Sequence, residues 1–168
     1  VTFRNLTLCF AVLVALATSA SAEKPSVITI GGSVTEIAFA LGEGDRLIAR
    51  DTTSTFPAEA TALPDVGYMR RLSAEGILAF TPDLIVSEDG AGPSEVIDIL
   101  RAASIPMVEI PDAYTAEGVI EKIRAVGDAL GVPEKADMLA DDVADQFQEA
   151  QKQTLQNATN KKRVMFIL

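Results

Sequence analysis

Two kinds of residue grouping in this sequence could in principle do chemistry. Residues 31–33 (Gly-Gly-Ser) lie at a predicted strand-to-helix turn, where free backbone amides can hold an anion. Asp51 with Asp65, or Asp141 with Asp142, could supply paired carboxylates for acid–base catalysis. Both signals are weak, because no G-x-G-x-x-G pattern or Walker lysine follows the glycines and no nucleophile or metal ligand accompanies the carboxylates. Solvated acidic faces are the commoner explanation of such pairs.

The inventory of reactive side chains excludes several classes of site. The 168-residue chain has no His, no Trp and one Cys. A zinc site requires several His or Cys ligands, and a Ser/His or Cys/His relay requires an imidazole. The chain can build none of these. The single cysteine, Cys9, also has no partner for a disulfide.

The charge of the chain limits its partners. The sequence has 24 acidic and 14 basic residues and a formal net charge of −10. This charge argues against a surface built to bind nucleic-acid phosphates or anionic membranes. A secreted α/β hydrolase would need a G-x-S-x-G nucleophile elbow, which the sequence lacks.

The first 22 residues have the three-part layout of a secretory signal peptide. Arg4 provides the basic region, residues 6–17 the apolar region, and residues 20–22 (Ala-Ser-Ala) the small-residue cleavage site. The apolar run is shorter than the roughly 20 residues that span a bilayer. We therefore predict a signal peptide over residues 1–22 and an exported chain that does not insert into the membrane after cleavage.

Hydrophobic patterning after the signal predicts alternating strands and helices. A β-α-β-α order favours an α/β fold with a mostly parallel sheet flanked by helices. We assign residues 23–132 to this α/β lobe. The predicted strands cover residues 27–30, 47–49, 84–87 and 107–110, and the predicted helices cover residues 33–41, 73–80, 94–103 and 117–130.

Two helix starts carry recognisable capping residues. Residues 33–36 read S-x-x-E, the pattern of a capping box, which predicts Ser33 as the N-cap of the first helix. Ser73 is the predicted N-cap of the second helix.

The last part of the chain predicts one long helix followed by a strand. Residues 133–158 keep helical spacing of apolar residues with no glycine or further proline, a length that exceeds what the lobe requires. Residues 163–168 (Arg-Val-Met-Phe-Ile-Leu) read as another buried strand. We therefore predict an inter-lobe helix at 133–158 and, at 159–168, the first strand of a truncated C-terminal lobe.

These segments together resemble a known family. The resemblance rests on the stretches VITIGGSVTEIAFALGEGDRLIARD, LPDVGYMRRLSAEGILAFTPDLIVSED and KKRVMFIL, and extends from Val27 to Leu168. They resemble the N-terminal lobe and linking helix of class III periplasmic substrate-binding proteins of ABC importers. That family carries haem, vitamin B12 and ferric siderophores in a cleft between two α/β lobes joined by a rigid helix. The GYMRRLSAEG stretch is most similar to the haemin-binding, HmuT-type branch.

The resemblance implies that Tyr68 is the ligand of the haem iron. In the haemin-binding branch a loop tyrosine coordinates the iron, and Tyr68 is the matching residue. The chemistry agrees, because ferric iron is a hard acid and tyrosinate is an established haem ligand. Without histidine, the other side chains that this lobe can offer iron are Tyr114, a methionine or carboxylates. The alternative is that Tyr68 only packs at the end of a loop.

The residues that follow Tyr68 are candidates for further contacts with haem. Haem carries two propionates, and the planar guanidinium of arginine suits carboxylates. We therefore expect Arg70, and less strongly Arg71, to contact the propionates. Met69 is a candidate for lining the cleft, although methionine more often fills an apolar gap. The alternative for the arginines is a solvated charge pair beside acidic neighbours.

Glu75 matches a family position that docks onto the membrane permease. It lies in the L-S-x-E arrangement just after the tyrosine loop. The resemblance implies that its carboxylate meets arginines of the permease, an interaction that steers association. The alternative is a glutamate in the first turn that favours the helix dipole. Glu36 is similar in type, but the predicted capping box already accounts for it.

Together these observations predict a periplasmic binding protein for ferric haem, which is transported rather than used as a catalytic cofactor. The expected partners are ferric haem and an inner-membrane ABC permease, and no enzymatic activity is expected. A vitamin B12 or ferric-siderophore binder of the same family is the first alternative. A truncated scaffold with no ligand activity is the second.

Overall fold

The computed structural model describes residues 24–157 and 163–167. The predicted signal peptide lies outside these residues. Two short 3-10 helices, Gly44–Arg46 and Ala58–Ala62, accompany the regular elements. The elements in chain order are β1 (Val27–Ile30), α1 (Gly32–Ala40), β2 (Leu47–Arg50), α2 (Ala74–Leu78), β3 (Leu84–Glu88), α3 (Ser94–Ala102), β4 (Met107–Ile110), α4 (Ala116–Leu130) and α5 (Pro133–Asn157).

The four strands form one parallel sheet in the order β2-β1-β3-β4. The predicted α/β class and parallel sheet are therefore confirmed. Parallel strands need helical crossovers, and these cover both faces of the sheet. The carboxyl ends of all four strands consequently lie along the same edge.

Alternation along β1 and β3 divides the core between the two sheet faces. Val27 and Val86 belong to a cluster with residues of α1, α4 and α5, whereas Ile28 and Ile85 belong to a cluster with residues of α2 and α3. Successive strand side chains point to opposite faces, which explains this division. We call these the α1/α4 face and the α2/α3 face.

One of the two predicted helix caps is confirmed and the other is wrong. The Ser73 side chain accepts a hydrogen bond from the backbone N–H of Gly76 at the start of α2, as predicted. Helix α1 instead begins at Gly32 with Gly31 as N-cap, and no side chain caps it. The Ser33 hydroxyl donates to Oε1 of Glu88, 2.7 Å away, so a contact with β3 replaces the expected local bond.

The predicted strand at the end of the chain is not formed within the described residues. Residues 163–167 belong to no helix or strand, and their side chains are exposed. A strand needs a hydrogen-bonded neighbour, and the part of the chain that the structure describes provides none there. Their assignment to a second lobe stays a prediction.

Glu43 fastens the base of α5 to the lobe. Its buried carboxylate accepts hydrogen bonds from Lys24 at 2.8 Å, Lys135 at 2.8 Å and Arg46 at 3.2 Å. The guanidinium of Arg46 also donates to the carbonyl oxygen of Leu130, 2.7 Å away, at the end of α4. Burial acts to raise the pKa of Glu43, but the hydrogen bonds from Lys135, Lys24 and Arg46 together lower it to about 2.

Replacing Glu43 with glutamine should destabilise the protein in a pH-dependent way. The folded-state pKa of about 2 lies below the ordinary value of 4.5, so the carboxylate stabilises the fold above pH 4.5. That stabilisation is lost as the pH falls from 4.5 towards 2. We expect Glu43→Gln to lower the free energy of unfolding by about 2 kcal/mol at pH 7, measured by urea denaturation of the full-length protein.

The matched control is Asp45→Asn, which removes the same charge from an exposed neighbour. It should change the free energy of unfolding by less than about 0.5 kcal/mol. A difference between Glu43→Gln and wild type that stays constant down to pH 2 would contradict the assignment.

Candidate functional site

The tyrosine loop lies at the carboxyl edge of the sheet. It leaves β2 after Arg50 and reaches α2 at Ala74. The turn after β1, the loop from β3 to α3 and the loop from β4 to α4 lie at the same edge. In open parallel sheets, ligands bind outside the carboxyl ends of the strands. Tyr68 and the following residues therefore occupy the edge at which this architecture binds ligands.

Asp65 braces the first half of the tyrosine loop against β2. Its Oδ2 accepts from the guanidinium of Arg50 at 3.0 Å, and its Oδ1 accepts from the hydroxyl of Thr52 at 3.1 Å. The same Oδ1 accepts from the N–H of Gly67 at 2.7 Å. Gly67 has a φ of 101°, a conformation that favours glycine. The turn before Tyr68 is therefore set by a carboxylate and a glycine.

The second half of the loop is docked on the segment between β3 and α3. The N–H of Gly92 donates to the carbonyl of Met69 at 2.8 Å, and the N–H of Leu72 donates to the carbonyl of Gly92 at 2.9 Å. Leu72 is buried and Met69 partly buried against the α2/α3 face. The partly buried side chain of Met69 thus packs against the lobe beside Tyr68, and its role in lining a cleft stays a prediction.

Tyr68 is partly exposed on this anchored turn. Its carbonyl accepts from the N–H of Arg71 at 2.7 Å, which closes the turn. The residue is 44% exposed, whereas its backbone is held through its neighbours on both sides. Its role as an iron ligand stays a prediction.

Arg70 and Arg71 are exposed next to Tyr68. Within residues 24–157 and 163–167, neither guanidinium makes an ion pair or a side-chain hydrogen bond. Both side chains are solvated, as the alternative considered for them requires, and their contacts with propionates stay a prediction. Two exposed arginines therefore follow Tyr68 in the same loop.

Glu75 lies in the first turn of α2, immediately after the loop. Its side chain is exposed. The carboxylate lies where it favours the positive end of the helix dipole, and its docking role stays a prediction.

The aspartates that were considered for acid–base catalysis make structural contacts. Asp51 is buried and accepts from the N–H of Gly31 at 3.0 Å and from the hydroxyl of Ser54 at 2.7 Å, so it ties two loops together. Asp141 pairs with Arg124 at 3.1 Å on the exposed side of α5.

A side chain of the protein itself lies against residues 31–33, which the sequence offered only as a weak candidate for anion binding. The side chain of Glu88 lies over Gly31, where a Cβ on the glycine would come within 2.6 Å of the Cβ of Glu88. A carboxylate of the protein thus occupies the space beside the first turn of α1. This explains why a glycine with a φ of 107° stands there.

A buried lysine, which the sequence analysis missed, binds this glutamate. The ammonium of Lys122 lies 2.5 Å from Oε1 of Glu88, 2.6 Å from Oδ1 of Asp112 and 3.1 Å from the hydroxyl of Ser33. Burial acts to lower the pKa of Lys122, but its bonds to Asp112 and Glu88 raise it overall. The same bond from Lys122 lowers the pKa of Asp112. The only signal in the sequence is a lysine beside the apolar stripe of α4.

Residues 24–157 and 163–167 contain neither a cluster of metal ligands nor a membrane-spanning helix. No group of three or more Cys, Asp or Glu side chains in the described chain is arranged to hold a metal ion. No helix in this part of the chain is long and apolar enough to cross a membrane.

Comparisons with known proteins agree on one family. The model of the periplasmic binding protein family matches residues 27–168. A vitamin B12-binding protein of Pectobacterium atrosepticum is 35% identical over 150 residues, which cover 89% of this chain and 53% of that protein.

Two solved structures are similar as well. The periplasmic haem-binding protein RhuT of Roseiflexus sp. RS-1, in its apo form, has a TM-score of 0.79 at 37% identity, covering 82% of this chain and 52% of that one. The periplasmic haem-binding protein BhuT, in complex with two haems, has a TM-score of 0.74 at 36% identity, covering 79% of this chain and 51% of that one. The chain spans about half the length of each of these proteins.

Removing the Asp65 carboxylate should loosen the turn before Tyr68. We expect Asp65→Ala to increase amide hydrogen exchange at Gly67 about tenfold, because three hydrogen bonds to the carboxylate are lost. Hydrogen-exchange mass spectrometry of residues 64–72 measures this effect. Asp89→Ala, at an exposed loop position after β3, is the control and should leave the exchange unchanged. Equal exchange in both variants would contradict the bracing role.

Proposed function

Because the chain belongs to the periplasmic binding protein family, we propose that it contributes one lobe of a binding protein that captures ferric haem for an ABC importer. In this proposal residues 23–132 form the ligand-binding lobe, and residues 133–158 form the helix that leads to a second lobe. Residues 1–22 are the signal peptide that directs export to the periplasm. The protein binds and delivers its ligand without making or breaking a covalent bond, so it is not an enzyme.

The observation that carries the proposal is an exposed tyrosine, Tyr68, followed in the same anchored loop by two exposed arginines. The phenolate supplies the anionic oxygen that ferric iron prefers. Arg70 and Arg71 supply guanidinium groups for the two propionates of haem. Because the backbone of Tyr68 is held on both sides, through Gly67 and Met69, little ordering is needed when the ligand binds.

Binding of vitamin B12 is the second candidate function. It is favoured by the 35% identity to a vitamin B12-binding protein. The metal of cobalamin is cobalt, so a tyrosinate ligand for ferric iron would be irrelevant to it. Tyr68 therefore favours haem over cobalamin, whereas the overall sequence similarity does not separate the two.

A titration with haemin tests the proposal directly. We expect saturable binding to the full-length protein, with a high-spin ferric spectrum and a tyrosinate charge-transfer band. Tyr68→Phe should remove this band and weaken haemin binding at least about tenfold, since a metal–ligand bond is lost. Absorption spectroscopy reports both effects.

Tyr114→Phe is the matched control, because Tyr114 is 93% exposed in another loop of the same edge. It should leave the spectrum and the affinity unchanged. A parallel titration with cyanocobalamin should show no saturable binding. Binding of cobalamin but not of haemin by the wild type would replace this proposal with the vitamin B12 candidate.

We also propose that Glu75 docks onto the permease. Its support is the exposed carboxylate at the start of α2, close to the tyrosine loop. An exposed charge at a transient interface mainly affects the association rate and its dependence on salt.

Glu75→Gln should slow association with the permease about threefold to tenfold at low salt and leave haemin affinity unchanged. Surface plasmon resonance with the permease in nanodiscs measures the rates. Glu117→Gln is the control, since Glu117 is also an exposed glutamate in the first turn of a helix. If both variants associate at the wild-type rate, Glu75 serves only its own helix.

A further inference from the structure

Lys122, Glu88, Asp112 and Ser33 form a compact polar group, which we call the Lys122 cluster. The lysine side chain is 7% exposed, and those of Glu88 and Asp112 are 15% and 23% exposed. The hydroxyl of Ser33 donates to Oε1 of Glu88, which also accepts a hydrogen bond from the ammonium group of Lys122. Side chains from α1, β3, α4 and the loop after β4 therefore meet at this ammonium group. The cluster contains two carboxylates and one ammonium and therefore has a net charge of −1.

The Lys122 cluster and the tyrosine loop lie at opposite faces of the same sheet edge. Lys122 precedes Ile123, which packs in the α1/α4 face. Met69 and Leu72, on either side of the arginines, pack in the α2/α3 face. Glu88 ends β3 and Asp112 follows β4, so the cluster stays at the carboxyl edge. The positive charges of Arg70 and Arg71 therefore belong to the loop at the α2/α3 face of this edge. The net negative charge of the Lys122 cluster lies at the α1/α4 face.

The negative side of this edge is accessible to a ligand. An open groove of about 440 Å³ is lined by Ser33, Glu36, Asp112 and Lys122 together with apolar side chains of α1, α4 and α5. Glu36 is exposed and, because no capping box forms, its carboxylate has no role at the start of α1. Glu36 therefore adds to the negative charge beside the cluster.

We propose that the Lys122 cluster determines the orientation and the charge preference of the ligand. Lys122 holds the loops of the α1/α4 face in place, and the carboxylate that it leaves uncompensated repels ligand carboxylates from that side. The propionates of haem are thereby directed towards Arg70 and Arg71. This inference rests on the proposed function and assigns a specificity role to residues that do not contact the iron.

The size of the effect follows from the distance over which a charge acts. A single charge at the rim of a water-filled cleft is felt over about 8–10 Å at physiological ionic strength. At an intermediate effective dielectric constant, its removal changes the affinity for a ligand carboxylate about threefold. The effect must vanish when the ligand carries no carboxylate.

The test compares haemin with its dimethyl ester in the full-length protein. Asp112→Asn removes one negative charge and keeps the size of the side chain. We expect it to raise the affinity for haemin about threefold and to leave the affinity for the ester unchanged. The measured quantity is the dissociation constant for haemin divided by that for the dimethyl ester. Both constants are obtained by absorption titration at low and high salt. High salt should abolish the change.

Asp45→Asn is the charge-matched control, because Asp45 precedes β2 and so lies at the opposite edge of the sheet. It should not change the ratio. Lys122→Met removes the positive charge of the cluster, so its net charge becomes −2. This variant should bind haemin more weakly relative to the dimethyl ester than the wild type does.

Three outcomes would overturn the proposal, and they can be told apart. A parallel change for both ligands in Asp112→Asn would show a structural role only. No change for either ligand would show that the cluster does not act on the site. If wild-type protein binds neither ligand, the proposed function itself fails, and the orientation role fails with it.

Discussion

The buried carboxylate of Asp51 is the interaction on which the arrangement of the ligand edge depends. It accepts hydrogen bonds from the N–H of Gly31 and from the hydroxyl of Ser54, and its second oxygen accepts from the N–H and hydroxyl of Thr53. The hydroxyl of Ser54 in turn lies 2.6 Å from that of Thr35 on α1. A carboxylate with four donors joins the end of β2 to the start of α1. These hydrogen bonds therefore fix the position from which the loop from Thr52 to Leu72 begins.

Much of the fold could be predicted from the sequence because it depends on local patterns. The four strands and the alternating helices follow from short β-branched runs and helical stripes, and Ser73 caps α2 as its type suggests. Ser33 shows the limit of such reasoning. Its hydroxyl had two possible partners, the backbone of its own helix and a carboxylate 55 residues away, and it donates to the distant carboxylate of Glu88. Only the folded chain brings that carboxylate close.

The candidate site was predictable to a similar extent. Tyr68, Arg70 and Arg71 lie together at the carboxyl edge of the sheet, as an α/β lobe with this chain order requires. Their roles in binding stay predictions. The Lys122 cluster could not be foreseen, because a lysine in an amphipathic helix ordinarily extends into solvent. Lys122 is buried only because Glu88 and Asp112 come from two adjacent strand ends, a proximity that pairing of β3 with β4 creates.

Within the described residues, helix α5 is buried against the lobe near its start. Ala136 and Ala140 are buried against the lobe, and Lys135 reaches Glu43, whereas the side chains from Asp145 to Gln156 are exposed. These twelve residues extend about 18 Å beyond the anchored part at 1.5 Å per residue. A tilt of about 5° at the base would displace the far end by about 1.6 Å. Any change in the direction of α5 at its base would therefore be enlarged along the helix, and the hydrogen bonds around Glu43 oppose such a change.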